Sequence, residues 1–182
     1  MTISLILGGA RSGKSAHAQG LAEQSGLAVT YIATAQVYDE EFAARVARHR
    51  QSRPQHWKTV ETPHHLAATL RREAEPDRCL VVDCLTLWLA QCICPDCAPP
   101  EGVDWEDMRA DFLATLPALP GRIILVSNEV GMGIVPLGEI NRRFQDEQGR
   151  LNQAVAALAQ NVVFMAAGLP LALKNEPVPT SD

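Results

Sequence analysis

Short, nearly continuous apolar runs recur along the chain, separated by longer stretches of mixed polarity. Ile3 to Leu7 (ISLIL), Ala28 to Ala33 (AVTYIA), Cys79 to Val82 (CLVV), Arg122 to Val126 (RIILV) and Val162 to Ala166 (VVFMA) are rich in branched side chains. Runs of this length, without alternation of apolar and polar positions, predict strands buried on both faces of a parallel sheet. Trp57 to Val60 predicts a further short strand. The intervening stretches predict helices over Ser15 to Gln24, closed by Gly26, and from Pro63 to about Glu73. Asp39 can cap another helix, running through Glu40, Phe42, Val46 and His49 until Pro54. Asp104 opens a helix to about Leu116, and the stripe Leu137, Ile140, Phe144, Leu151, Val155, Leu158 predicts a long last helix that Gly149 can bend.

Strands alternating with helices predict the α/β class, a mainly parallel sheet flanked by helices on both faces. No internal repeat or linker interrupts the pattern, so residues 1–173 are expected to form one domain. Pro177 and Pro179 mark residues 174–182 as a disordered tail. Pro95, Pro99, Pro100 and Gly102 make residues 93–104 a surface loop.

The first loop carries the clearest chemistry. Gly8-Gly9-Ala10-Arg11-Ser12-Gly13-Lys14-Ser15 satisfies the phosphate-loop pattern G-x-x-x-x-G-K-[ST], between a strand and a helix as that motif requires. Its glycines let the backbone curl so that successive N–H groups face one phosphate at the positive end of the helix dipole. Lys14 would reach the outer phosphates and the Ser15 hydroxyl would help hold Mg²⁺. The motif, set in this alternation of strands and helices, narrows the fold class to a P-loop NTPase, RecA-like.

Asp83 ends the CLVV run. Alone, an Asp there is often a turn starter. Beside a phosphate loop it is placed as the second Mg²⁺-orienting group, at the carboxyl end of a buried strand.

Phe42, Val46, His49 and Arg53 share one helical face, and Arg45, Arg48 and Arg50 flank the histidine. A histidine in such a stripe is commonly a hydrogen-bonded core residue, and arginines on a helix are commonly a solvated face. Together they suggest a neutral imidazole poised to attack an α-phosphate, with guanidiniums neutralising charge on the phosphorus oxygens.

Composition narrows the classes. Apolar residues make up 47% and charged residues 20%, as in a soluble globular chain. A net charge of −5 excludes broad nucleic-acid binding, and the Arg cluster is then a small anionic-ligand site. The N-terminal apolar run is too short for a signal peptide or membrane span, so no membrane span is expected. Five cysteines, an odd number, suit a reducing cytoplasm. Cys92, Cys94 and Cys97 are dense enough to raise a zinc site, but they lack an obvious fourth ligand, and loop thiols exposed to solvent are the expectation.

Further stretches resemble one family. Tyr31-Ile-Ala-Thr-Ala35, the run His49-Arg50, Arg53-Pro54, Trp57, Thr59, Glu61, and Asn128-Glu-Val-Gly-Met-Gly-Ile-Val-Pro136 follow the phosphate loop in the order and spacing of the bifunctional adenosylcobinamide kinase/adenosylcobinamide-phosphate guanylyltransferases of vitamin B12 biosynthesis. The anchors span residues 3 to about 173. This resemblance implies phosphorylation of adenosylcobinamide from ATP or GTP. Transfer of GMP from GTP to adenosylcobinamide-phosphate follows, releasing pyrophosphate and giving adenosylcobinamide-GDP.

It also implies that His49 carries GMP covalently, that the enzyme is a homotrimer, and that guanine nucleotide is contacted at several segments. These are the phosphate loop, Ala33, Thr34 and Ala35, then Arg50, Gln51, Ser52 and Arg53, and finally Glu61 and Asp83. The family often carries Glu where Asp83 stands. Glu129 admits two readings, a base or Mg²⁺ ligand and a purely structural loop residue. The rival functions are another P-loop small-molecule kinase or ATPase, which needs no His49, and a nucleotide-binding regulator.

Overall fold

β1 (Thr2–Gly8) lies inside a seven-stranded sheet and is buried along nearly its whole length. A computed structural model of the chain describes residues 1–36, 40–51, 53–94, 97, 102 and 104–175, with the backbone alone at Glu41, Phe42, Arg45, Arg48, His49 and Gln51. The predicted strands form with small shifts of boundary: β2 (Ala28–Ala33), β3 (Lys58–Glu61), β4 (Arg78–Asp83), β5 (Arg122–Val126) and β6 (Asn161–Ala166). The sheet order is β3-β2-β4-β5-β1-β6-β7, and β1 to β6 pair in parallel. All these strands therefore point their carboxyl ends to the same edge, where ligands of open α/β sheets bind.

The helices are α1 (Lys14–Gln24), α2 (Glu40–Gln51), α3 (Leu66–Glu73), α4 (Leu85–Ile93), α5 (Trp105–Thr115) and α6 (Glu139–Leu158). Strand alternation divides the buried side chains between two cores. Ile3, Leu5, Leu80, Val82, Ile123 and Leu125 face α3, α4, α5 and α6, where Leu70, Trp88, Phe112 and Val155 are buried against them. Ile6, Tyr31, Val81, Ile124 and Val126 face the other way, onto Ala18 and Ala22 of α1. The aromatic centre of the larger core is Trp88, 5.2 Å from Trp105 and 5.0 Å from Phe112, with its indole N–H donated to the His64 carbonyl at 2.7 Å. Such ring pairs add about 0.5–1.5 kcal/mol each beyond burial.

Two elements were not anticipated. α4 (LTLWLAQCI) follows β4 directly and is buried on nearly every side, so it lacks the one-sided stripe that marks an amphipathic helix. β7 (Leu169–Asn175) pairs antiparallel with β6 through the two-residue turn Ala167-Gly168, both residues at positive φ. Leu169, Leu171 and Leu173 on it are exposed, and Pro170 is tolerated because β7 is an edge strand. β7 reaches Asn175, so Lys174 and Asn175 belong to the sheet and not to the expected tail; residues 176–182 lie outside the described ones.

Other boundaries also moved. α3 starts at Leu66, three residues after Pro63, and α6 starts at Glu139. Leu137 therefore precedes the helix and is 90% exposed, and Ile140 is 44% exposed, so the apolar stripe of α6 begins only at Phe144. α6 runs unbroken through Gly149. The Asp104 cap is as expected, its carboxylate accepting from the N–H groups of Glu106 and Asp107 at 2.8 and 3.2 Å. The Asp39 cap falls outside the described residues.

Candidate nucleotide site

The phosphate loop joins β1 to α1 at the carboxyl edge of the sheet. Close packing explains two of its glycines. A side chain on Gly8 would put Cβ 2.4 Å from the Met165 carbonyl oxygen, and one on Gly13 would meet Gly168 Cα at 3.2 Å. Both residues also have positive φ, at 149° and 98°. Arg11 holds φ 54°, an uncommon value for a side chain of its size. The loop is tied down by Ser12 N–H to Gly9 O at 3.3 Å and by Gly168 N–H to Ser12 O at 3.0 Å.

Lys14 is buried within this turn, its ammonium donating to Gly9 O at 2.6 Å and reaching Ser12 Oγ at 3.5 Å. Burial lowers its pKa, and the nearby Asp83 carboxylate partly opposes that shift. Ser15, in the first turn of α1, donates its hydroxyl to Asp83 Oδ2 at 3.1 Å. Two hard oxygen groups thus converge beside a loop of N–H donors, the donor chemistry Mg²⁺ requires when nucleotide phosphates complete its shell.

The Asp83 carboxylate has a second donor, the Tyr31 hydroxyl at 2.5 Å to the same oxygen. Tyr31 is buried in β2, and burial together with the Asp83 charge raises its pKa, so the phenol stays protonated. Arg53 lies over its ring, 3.5 Å from guanidinium carbon to centroid, a cation–π contact.

Ala33 pairs with Asp83 across β2 and β4, which places the start of the Ala33–Ala35 segment beside that carboxylate's strand end. Thr34 is fully buried and its hydroxyl is committed to the fold, donating to Cys84 O at 2.7 Å and accepting from Cys84 N–H at 2.9 Å. The side chain of this residue therefore holds the turn after Asp83 and does not face a ligand. Arg50 and Glu61 form an exposed ion pair at 2.7 Å at the outer end of the site, of the kind worth about 0–1 kcal/mol. The side chains of Arg45, Arg48, His49 and Gln51 and all of Ser52 lie outside the described residues; the backbone of His49 belongs to α2.

β5 delivers the distinctive Asn128–Pro136 segment to the same edge. The Glu129 N–H donates to Gly8 O at 3.0 Å, and its carboxylate turns back to the Gly131 N–H. That geometry serves the structural reading of Glu129. The segment is further pinned by a buried polar network that the sequence did not reveal. Ser127 Oγ donates to Asn152 Oδ1 at 2.7 Å, Gln148 Nε2 donates to Ser127 Oγ at 2.9 Å, and Asn152 Nδ2 donates to Asn128 O at 3.1 Å. Polar residues at buried positions of α6 were the available signal.

Cys92 is buried in α4 with its thiol toward Met108, not in an exposed loop as expected. Burial pushes that thiol up to about 12. Cys94 and Cys97 approach each other at 2.7 Å between sulfurs, and among the described residues no three His, Cys, Asp or Glu side chains gather as a metal cage.

Comparison with known proteins places the chain in a family. Residues 4–173 match the family described as cobinamide kinase / cobinamide phosphate guanyltransferase. The chain is 59% identical to the bifunctional adenosylcobalamin biosynthesis protein CobP of Pseudomonas aeruginosa over 174 residues, covering 96% of this chain and 98% of that one. It is 38% identical to the bifunctional adenosylcobalamin biosynthesis protein CobU of Escherichia coli strain K12, covering 93% and 98%. Among solved structures it is similar in fold to the flagellar accessory protein FlaH of Methanocaldococcus jannaschii, with a TM-score of 0.53 at 18% identity, covering 99% of this chain and 81% of that one.

Proposed function

Because the chain belongs to the cobinamide kinase / cobinamide phosphate guanyltransferase family, we propose that it carries out both reactions at the carboxyl edge of its sheet, through a guanylyl group carried on His49. The observation that carries the nucleotide site is the meeting of Ser15 and Asp83 at 3.1 Å beside the buried ammonium of Lys14. Mg²⁺ held there by Ser15 and Asp83 would shield phosphate charge and make the pyrophosphate a better leaving group.

In the kinase step the hydroxyl of the adenosylcobinamide side arm attacks the γ-phosphorus of ATP or GTP, its proton passes to solvent, and the nucleoside diphosphate leaves. Lys14 and the loop N–H groups hold the outer phosphates in line for this displacement. In the second reaction an imidazole nitrogen of His49 attacks the α-phosphorus of GTP, forming a P–N bond and expelling pyrophosphate. A phosphate oxygen of adenosylcobinamide-phosphate then attacks the same phosphorus, the P–N bond breaks, and adenosylcobinamide-GDP forms. Splitting the transfer in two avoids bringing two polyanions together in one transition state. Arg50 and Arg53, on the chain just after His49, stabilise the charge on the phosphorus oxygens. Ala33, Ala35, Gln51, Ser52 and Glu61 complete the guanine-nucleotide contacts in this reading, and Thr34 contributes through the turn that it holds.

The subunits assemble as a homotrimer in this reading, supported by exposed apolar residues at Met132, Ile134, Val135, Leu169 and Leu171. The cysteines are free, which supports a reducing cytoplasm, and no described helix is long and apolar enough to cross a membrane.

The test is incubation with α-labelled GTP and Mg²⁺. Wild type is expected to retain acid-labile, base-stable label, and His49→Ala is expected to retain none while still binding GTP. A folded, GTP-binding wild type that takes up no label removes the covalent step and leaves a plain P-loop kinase.

A further inference from the structure

Tyr31 is a group that the proposed mechanism leaves unused, although it touches two of the residues that the mechanism employs. Its hydroxyl donates to Asp83 Oδ2 at 2.5 Å, the oxygen that also accepts from Ser15 at 3.1 Å. Among the described residues the other oxygen of Asp83 accepts no hydrogen bond, so the carboxylate is oriented by one oxygen and offers the other. The opposite attachment is the ring face, which carries the Arg53 guanidinium at 3.5 Å. The Arg53 Nε is buried without a hydrogen-bond partner, so the ring supplies the contact that holds this charge.

The sequence register makes both attachments possible. Ala33 pairs with Asp83 and Tyr31 with Val81, so Tyr31 and Asp83 lie on the same face of neighbouring strands, diagonally adjacent. Arg53 reaches the same ring from the segment that follows α2.

We propose that Tyr31 is a positioning residue that fixes the metal-orienting carboxylate of Asp83 with its hydroxyl and the nucleotide-contacting guanidinium of Arg53 with its ring. This rests on the nucleotide site proposed above. A phenylalanine would keep the ring and lose only the hydroxyl, and a leucine would lose both, so the two roles separate. A merely core-filling tyrosine would leave Mn²⁺ affinity unchanged in Tyr31→Phe.

The experiment measures Mn²⁺ binding by electron paramagnetic resonance in the presence of a non-hydrolysable GTP analogue, and binding of the same analogue in EDTA. Tyr31→Phe is expected to weaken Mn²⁺ affinity about tenfold, as for loss of one hydrogen bond to a charged group, with metal-free analogue affinity unchanged. Tyr31→Leu is expected to weaken both. Wild-type Mn²⁺ affinity in a folded Tyr31→Phe overturns the role of the hydroxyl, and unchanged metal-free affinity in a folded Tyr31→Leu overturns the role of the ring. A wild type that binds neither Mn²⁺ nor the analogue overturns the nucleotide site itself, and this inference with it.

Discussion

The Ser15 hydroxyl donates to the Asp83 carboxylate at 3.1 Å, across 68 positions of sequence. Ser15 is near the start of α1 and Asp83 ends β4, and β5 separates β4 from β1 in the sheet. Both groups nevertheless reach one point because the strands are parallel and end at one edge. At that edge the Lys14 ammonium donates to Gly9 O at 2.6 Å, close in the chain to the Ser15–Asp83 pair.

Replacing Lys14 by Met keeps most of the buried stem and removes the charge. Phosphoryl transfer is expected to fall by about 10²–10³-fold, as when a group stabilising transition-state charge is removed. Steady-state kinase assays read this, with thermal unfolding showing that the fold survives.

Thr34→Val is expected to destabilise the protein by about 1–3 kcal/mol, because the buried Cys84 N–H loses its acceptor. Thr34→Ser keeps the hydroxyl and is expected to recover most of that loss. Urea unfolding of the two variants separates the hydrogen bond from the methyl group.

Gly8→Ala drives a methyl group to 2.4 Å from the Met165 carbonyl, a backbone atom of the neighbouring strand. Relief requires β1 and β6 to part at the loop, at a cost of about 1–3 kcal/mol. ATP affinity by titration calorimetry is expected to drop together with stability, whereas Gly9→Ala, where a Cβ meets nothing, leaves stability unchanged.

Glu147 is buried and accepts from Trp105 Nε1 at 2.7 Å, Arg109 at 2.9 Å and Arg150 at 2.5 Å. Burial pushes its carboxyl upward, but the bonds from Trp105 and Arg150 outweigh that and hold the pKa below the usual value. A folded pKa below the unfolded one means stability is present above the unfolded value, about 4.3, and is lost as pH falls through the folded one. Glu147→Gln is expected to cost about 3 kcal/mol at pH 7 and to flatten the acid dependence. Urea midpoints at pH 7 and at successive pH values below the normal carboxylate pKa check both.

The local readings held where a segment carries its own signal. The five predicted long strands, the glycine-rich turn between β1 and α1 and the Asp104 cap rest on nearest-neighbour chemistry, a buried apolar run, a glycine pattern or a capping oxygen. α4 escaped because a helix buried on nearly all sides has no periodicity to detect, and β7 because an exposed edge strand shows no buried face. Leu137 and Ile140 fit a helical stripe by spacing alone, yet α6 begins at Glu139 and leaves both in solvent.

By itself, then, the sequence determined the α/β class, the glycine-rich turn between β1 and α1 and the family to which the chain belongs, because each is written in contiguous residues. Only the tertiary structure decided that Tyr31 joins Asp83 to Arg53, that Thr34 bonds the Cys84 backbone, and that Ser127, Gln148 and Asn152 form one network. Those pairings depend on which strands are neighbours and in what register, and no stretch of residues carries that information until the sheet has closed around it.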